Sequence, residues 1–182
     1  MSQRNVSTAT ILADPRWLPH SYDSVRGTLG FLRVPRERLS QPAFLADLAR
    51  ETGHDSAELP LAGLGPLAPP ADTPVTFIFH TAFCRSTLLV RALEQPGIST
   101  GLSEPGIIAS LAGAGAAAQG ALAPVAALLA RPWGAGEAVF IKPTNHANRL
   151  APGLMQALPQ ARAVLMTNPL PSFLAAVVRK GM

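Results

Sequence analysis

The segment Val75 to Leu93, VTFIFHTAFCRSTLLVRAL, constrains the fold more than any other part of this chain. Val75, Phe77 and Phe79 alternate with Thr76, Ile78 and His80 in a run rich in β-branched and aromatic residues, the pattern of a buried strand. Thr81-Ala82-Phe83-Cys84-Arg85 follows as a compact loop. Ser86 and Thr87 then open a helix carrying Leu88, Leu89, Ala92 and Leu93 on one side, which Pro96-Gly97 stops. The first turn of such a helix leaves backbone N–H groups without partners, and its dipole favours negative charge. The segment reads as a strand, loop and helix suited to an anion.

The sequence after this segment repeats the alternation. Ile98 to Pro105 predicts a short second strand ending on Glu104, and an alanine-rich helical stretch runs on to about Ala130. Ala138-Val139-Phe140-Ile141-Lys142 predicts a third strand, with Pro143 to Asn148 as its loop and a helix from Asn148 to Leu158. Ala161 to Thr167 predicts a fourth strand, Asn168 to Pro171 a turn, and Ser172 the cap of a last helix. Strands alternating with helices argue for an α/β fold, a mostly parallel sheet with helices on both faces. Ligands of such sheets sit beyond the carboxyl ends of the strands. Those ends carry His80 to Thr87, Glu104, Lys142 to His146 and Thr167 to Ser172.

The first third reads differently. Residues 1–13 are polar, with Arg4 and no apolar core of a signal peptide. Ser40 and Pro42 predict the start of a helix through Ala49, with Phe44, Leu45 and Leu48 on its apolar face. Leu59 to Pro74 is rich in proline and glycine and reads as a linker. This divides the chain into 1–73, a small accessory helical segment with its linker, and 74–182, the main domain.

Composition narrows the function classes. Hydrophobic residues are 48% and charged residues 14%, too apolar for a disordered chain. The net charge of +4 comes from scattered residues, which favours anionic small molecules over nucleic acid. A single cysteine leaves no internal disulfide framework and fits a reducing, cytoplasmic setting. Ile107 to Ala130 is 24 residues without a charge, but Gln119, Pro124 and several glycines favour an internal helix over a membrane span.

FIFHTAFCRSTLL, then LSEP, IKPTNHANRL and ARAVLMTNP with a helix after it, resembles the sulfotransferase-like branch of the P-loop nucleotide-binding proteins over 74–182. The resemblance implies a P-loop fold, the donor PAPS and transfer of a sulfuryl group to a hydroxyl or amine of a small-molecule acceptor, without a metal. Thr81, Ala82, Phe83, Cys84, Arg85, Ser86 and Thr87 would form the phosphosulfate loop. The family's loop lysine aligns with Phe83, and Arg85 supplies a nearby positive charge. Lys142 matches the lysine of the family's K-T-H motif, and His146, two positions beyond its histidine, would be the general base. The family's 3′-phosphate arginine and serine align with Thr167 and Ala175, while Ser172 and Arg179 stand close by. The chain ends on a helix with no further strand, shorter than the family's usual domain, so the domain reads as incomplete.

Two other readings come from the same residues. The ATP and GTP signature G-x-x-x-x-G-K-[ST] is absent, with Ser86 in the lysine position, which disfavours a phosphotransferase. The missing loop lysine instead favours a catalytically silent nucleotide-binding or interaction module.

Overall fold

A computed structural model of the chain describes residues 6–41 and 43–181. The main sheet has four parallel strands in the order β5-β6-β4-β7: β4 (Val75–His80), β5 (Ser99–Ser103), β6 (Ala138–Lys142) and β7 (Arg162–Met166). The helices α2 (Ser86–Ala92), α3 (Gly106–Ala114), α4 (Leu122–Leu129), α5 (Ala151–Ala157) and α6 (Leu170–Lys180) alternate with these strands and flank the sheet. The predicted strands after the linker are all present.

β4 is central because it can be buried on both faces. Phe77 and Phe79 project from one face and stack at 5.7 Å, while Ile78 is buried on the other. α2 lies close over β5, where a side chain on Gly101 would run into the Val90 carbonyl. The buried residues of α2 are Ser86 and Val90, so Leu88, expected on its packed side, faces solvent instead.

The N-terminal third is not the helical segment expected from sequence. It forms a three-stranded antiparallel sheet, β1 (Trp17–Asp23), β2 (Thr28–Arg33) and β3 (Ser56–Pro60), preceded by α1 (Thr8–Ala13). Leu29 and Phe31 alternate inward along β2, and the Asp23 carboxylate receives the amides of Val25 and Arg26 in the turn before it. Gly27 completes that turn at φ 64°. The helix expected through Ala49 is a 3-10 turn, Leu45–Arg50, that buries Leu45 and Leu48; Pro42 lies outside the described residues. The polar N-terminal stretch includes α1, capped by Ser7 and anchored by buried Ile11.

The antiparallel sheet shares one hydrophobic core with the parallel sheet: Trp17, Leu29 and Phe31 join Ile107, Ile108, Val125 and Ile141. Ser110 on α3 bonds the Tyr22 backbone in both directions, accepting from its amide at 2.9 Å and donating to its carbonyl at 3.1 Å. The stretch Gly106–Leu129 is long and apolar enough to cross a membrane. Here it breaks at Gly115 (φ 61°), and Ile107, Ile108, Leu111, Val125 and Leu128 enter the core.

Arg131, just after α4, ties the N-terminal segment to this core. It donates to the carbonyls of Leu128, Leu12 and Ile11 and, through Nη2, to Trp17 at 2.9 Å. Burial pushes its guanidinium down to about 10, against the opposing pull of Asp14. Arg131→Ala leaves those carbonyls without their donor and should cost about 1–3 kcal/mol. Urea unfolding measures the loss, and limited proteolysis should cut α1 faster in the variant.

Candidate functional site

The carboxyl ends of the four parallel strands converge as the topology demands. β4 delivers His80 and the loop Thr81–Arg85, β5 delivers Glu104, β6 delivers Lys142 and Thr144, and β7 delivers Asn168. Three residues here other than glycine have positive φ: Phe83 at 63°, Arg85 at 64° and Glu104 at 49°. Such conformations cost about 1–3 kcal/mol each and concentrate at ligand sites.

Neighbouring side chains hold the loop in this shape. The His80 ring sits 3.0 Å from the carbonyls of both Thr81 and Pro143. Asn148 donates to the His80 carbonyl at 2.9 Å, and Asn168 donates to the Phe83 carbonyl at 3.0 Å. Phe173 of α6 leans on Phe83 at 5.9 Å, and the Lys180 ammonium lies 5.3 Å over the same ring.

The loop leaves its own donors free. Among the described residues, the amides of Phe83, Arg85, Ser86 and Thr87 have no hydrogen-bond acceptor. Arg85 stands at the start of α2 in the left-handed conformation and makes no capping bond with its side chain. No carboxylate among the described residues lies within ion-pair reach of Arg85, Arg179 or Lys180. These groups open onto two adjoining cavities. One, about 530 Å³, brings Ala82 to Thr87 together with Glu104, His146 and Lys180. The other, about 740 Å³, places Arg85 with Ser172, Arg179 and Asn168.

Most of the residues expected from sequence therefore meet. Ala82, Phe83, Cys84, Arg85, Ser86, Thr87 and His146 share the first cavity, and Thr81 borders a third cavity with His80 and Asn148. The His146 Nε2 lies 3.0 Å from the Thr144 hydroxyl. Ser172 joins Arg85 and Arg179 but is not the cap of α6: it lies inside the first turn, after Pro169.

Lys142 stands apart from both cavities. It is 0% exposed, its ammonium donates to Glu104, and it lies 5.5 Å over the Phe44 ring. Burial pushes its ammonium below the ordinary lysine value, and the Glu104 hydrogen bond and charge oppose that push. In this position it fixes Glu104 and faces no cleft.

Sequence reasoning passed over Asn148, Asn168 and Phe44. The two asparagines carried a signal, since both follow strands whose carboxyl ends face the site. Phe44 carried none, because its position over Lys142 depends on a contact between distant parts of the chain.

Comparison with protein-family models, with curated proteins and with solved structures yields no match for this chain.

Proposed function

We propose that Thr81–Thr87 is a P-loop-type phosphosulfate loop and that the chain is a sulfotransferase-like protein using PAPS as donor. The observation that carries this reading is the set of amides at Phe83, Arg85, Ser86 and Thr87 with no acceptor among the described residues, flanked by the guanidiniums of Arg85 and Arg179, which have no ion-pair partner among them. Backbone donors held in advance stabilise charge on a transferring group without reorganising. Arg85 supplies positive charge beside the 5′-phosphosulfate, and Ser172 with Arg179 receives the 3′-phosphate in the adjoining cavity. The acceptor oxygen or nitrogen attacks sulfur, its proton passes to His146, and the sulfur–oxygen bond to the 5′-phosphate breaks with its electron pair leaving on PAP. Lys142 acts through Glu104, as a positioning residue.

A silent nucleotide-binding module is the second reading, favoured by the burial of Lys142 away from the cleft. Calorimetric titration of the chain with PAP, ATP and GTP tests binding. PAP should bind selectively, and Arg85→Ala or Arg179→Ala should each weaken it about tenfold or more, the worth of a charge-assisted hydrogen bond. Preference for ATP or GTP, or no binding by the folded chain, refutes the PAPS reading. Selective PAP binding without sulfuryl transfer to a panel of phenols, alcohols and amines leaves the silent module as the correct one.

A further inference from the structure

The antiparallel sheet carries a cavity of its own at one end. The order β1-β2-β3 brings the start of β1, the end of β2 and the start of β3 to the same side. Backbone bonds lock these three ends together. The Val34 amide donates to the Arg16 carbonyl and the Arg33 amide to the Asp55 carbonyl, both at 2.8 Å. The cavity there has a volume of about 500 Å³, and Arg16, Arg33, Arg38, His54 and Asp55 are in its wall. It shares no lining residue with the cavities at the carboxyl ends of the parallel strands.

The arginines bring more N–H donors than their carboxylate partners use. Arg16 turns Nε and Nη2 to Asp14, which leaves Nη1 unspent. Arg38 gives Nη2 to Glu51, and its Nε is buried with no hydrogen-bond partner among the described residues. Among the described residues Arg33 forms an ion pair with Asp55 alone, at 3.7 Å. That is beyond hydrogen-bond distance, so its whole guanidinium is unspent. His54 Nε2 is a second buried nitrogen with no hydrogen-bond partner among the described residues; Glu51 stands 3.5 Å from it. Buried polar atoms in folded proteins almost always have a partner. Asp14 and Glu51 hold their arginines from outside the lining, and Asp55 is the one carboxylate within it.

We infer that this end of the antiparallel sheet is a second anion site, one that takes a small phosphate monoester. Three guanidiniums from three segments match the three terminal oxygens of a phosphate, where a carboxylate offers two. Asp14 and Glu51 fix two of the guanidiniums in advance, which lowers the ordering cost of binding. The volume holds the phosphate with a small organic group beside Pro35. A metal cation would meet three guanidiniums against one carboxylate. The site is independent of the PAPS reading.

The test is a titration of the full chain with phenyl phosphate at fixed pH, followed by NMR of the histidine ring protons. His54 reports this cavity and His146 reports the cleft, so one experiment reads the two sites separately. The His54 signals should shift with a Kd of about 0.1–1 mM. Succinate should bind about tenfold more weakly. Arg33→Gln should weaken phenyl phosphate at His54 about tenfold. The same variant should keep the urea midpoint of the parent, because the Arg33 guanidinium makes no hydrogen bond among the described residues. The proposal is overturned if the His54 signals stay still up to about 10 mM, if succinate matches phenyl phosphate, or if Arg33→Gln titrates like the parent. Shifts at His146 alone would place phosphate in the cleft and overturn it equally, while leaving the PAPS reading intact.

Discussion

Arg36→Ala should lower the free energy of unfolding by about 3–5 kcal/mol, the cost of removing one partner from a buried ion pair. Arg36 lies in the N-terminal third yet bonds groups of the parallel-sheet region. Its Nε donates to Glu94 at 2.9 Å, and its Nη1 donates to both carboxylate oxygens of Glu137 at 2.8 and 2.7 Å. Glu137 is 1% exposed and also accepts from the Thr100 hydroxyl at 2.7 Å and the Gly97 amide at 2.6 Å. Without Arg36 two buried carboxylates share no cation. The pH dependence identifies the cause. In the intact protein burial pushes Glu137 up, but the donors from Arg36, Thr100 and Gly97 outweigh it and hold the carboxyl below its ordinary 4.5. Its contribution is therefore present above that value and lost as pH falls through the folded value. Removing Arg36 leaves burial dominant, so the folded value rises and the sign inverts: stability is then lost as pH rises. The gap between the two proteins should be widest at neutral pH and narrow on acidification. Urea melts across that range measure it, and a gap independent of pH would show that the loss is one of packing.

Glu104→Gln should cost a similar about 3–5 kcal/mol, because it strands the Lys142 ammonium in the interior. The double variant Glu104→Gln, Lys142→Met should recover most of the loss, since neither buried charge remains. Here the linkage runs towards alkaline pH. Lys142 titrates below 10.5 in the folded chain because burial disfavours its charge. Between the folded value and 10.5 the unfolded chain binds more protons, so stability from this group rises with pH. Without Glu104 the folded value drops further and the window opens at lower pH. Melts of the single variant from neutral to alkaline pH should show the larger recovery. If the double variant is as unstable as the single one, the stranded Lys142 charge is not the source of the loss. PAP titration of Lys142→Met alone separates this structural role from binding: Lys142 faces no cleft, so any weakening must come through a displaced Glu104.

Several elements of the parallel sheet were legible from local pattern alone. β4 announced itself through Val75, Phe77 and Phe79, β6 through Val139 and Ile141, and both follow the alternation and branching that a buried strand requires. The loop after β4 and the grouping of polar residues at strand ends followed from topology, because a parallel sheet sends all its carboxyl ends to one side. The antiparallel sheet left a weaker trace. The alternation of Leu29 and Phe31 and the Asp23–Gly27 turn were present, but Pro19 and the register shift between Pro19 and Ser21 interrupt the pattern of β1.

The sequence by itself carried Ala82–Thr87 and His146 to the cleft, through local hydrophobic period and strand polarity, but not Phe44 or Asn168. Only the tertiary structure decided what the charged residues do. Lys142 and Arg85 look alike in a sequence, as basic residues at the carboxyl side of a strand. One is buried against Glu104 and Phe44, and the other is left with no carboxylate partner among the described residues. That difference arises from contacts between segments tens of residues apart, and burial and pairing, which set the worth of a charge, exist only once those segments meet.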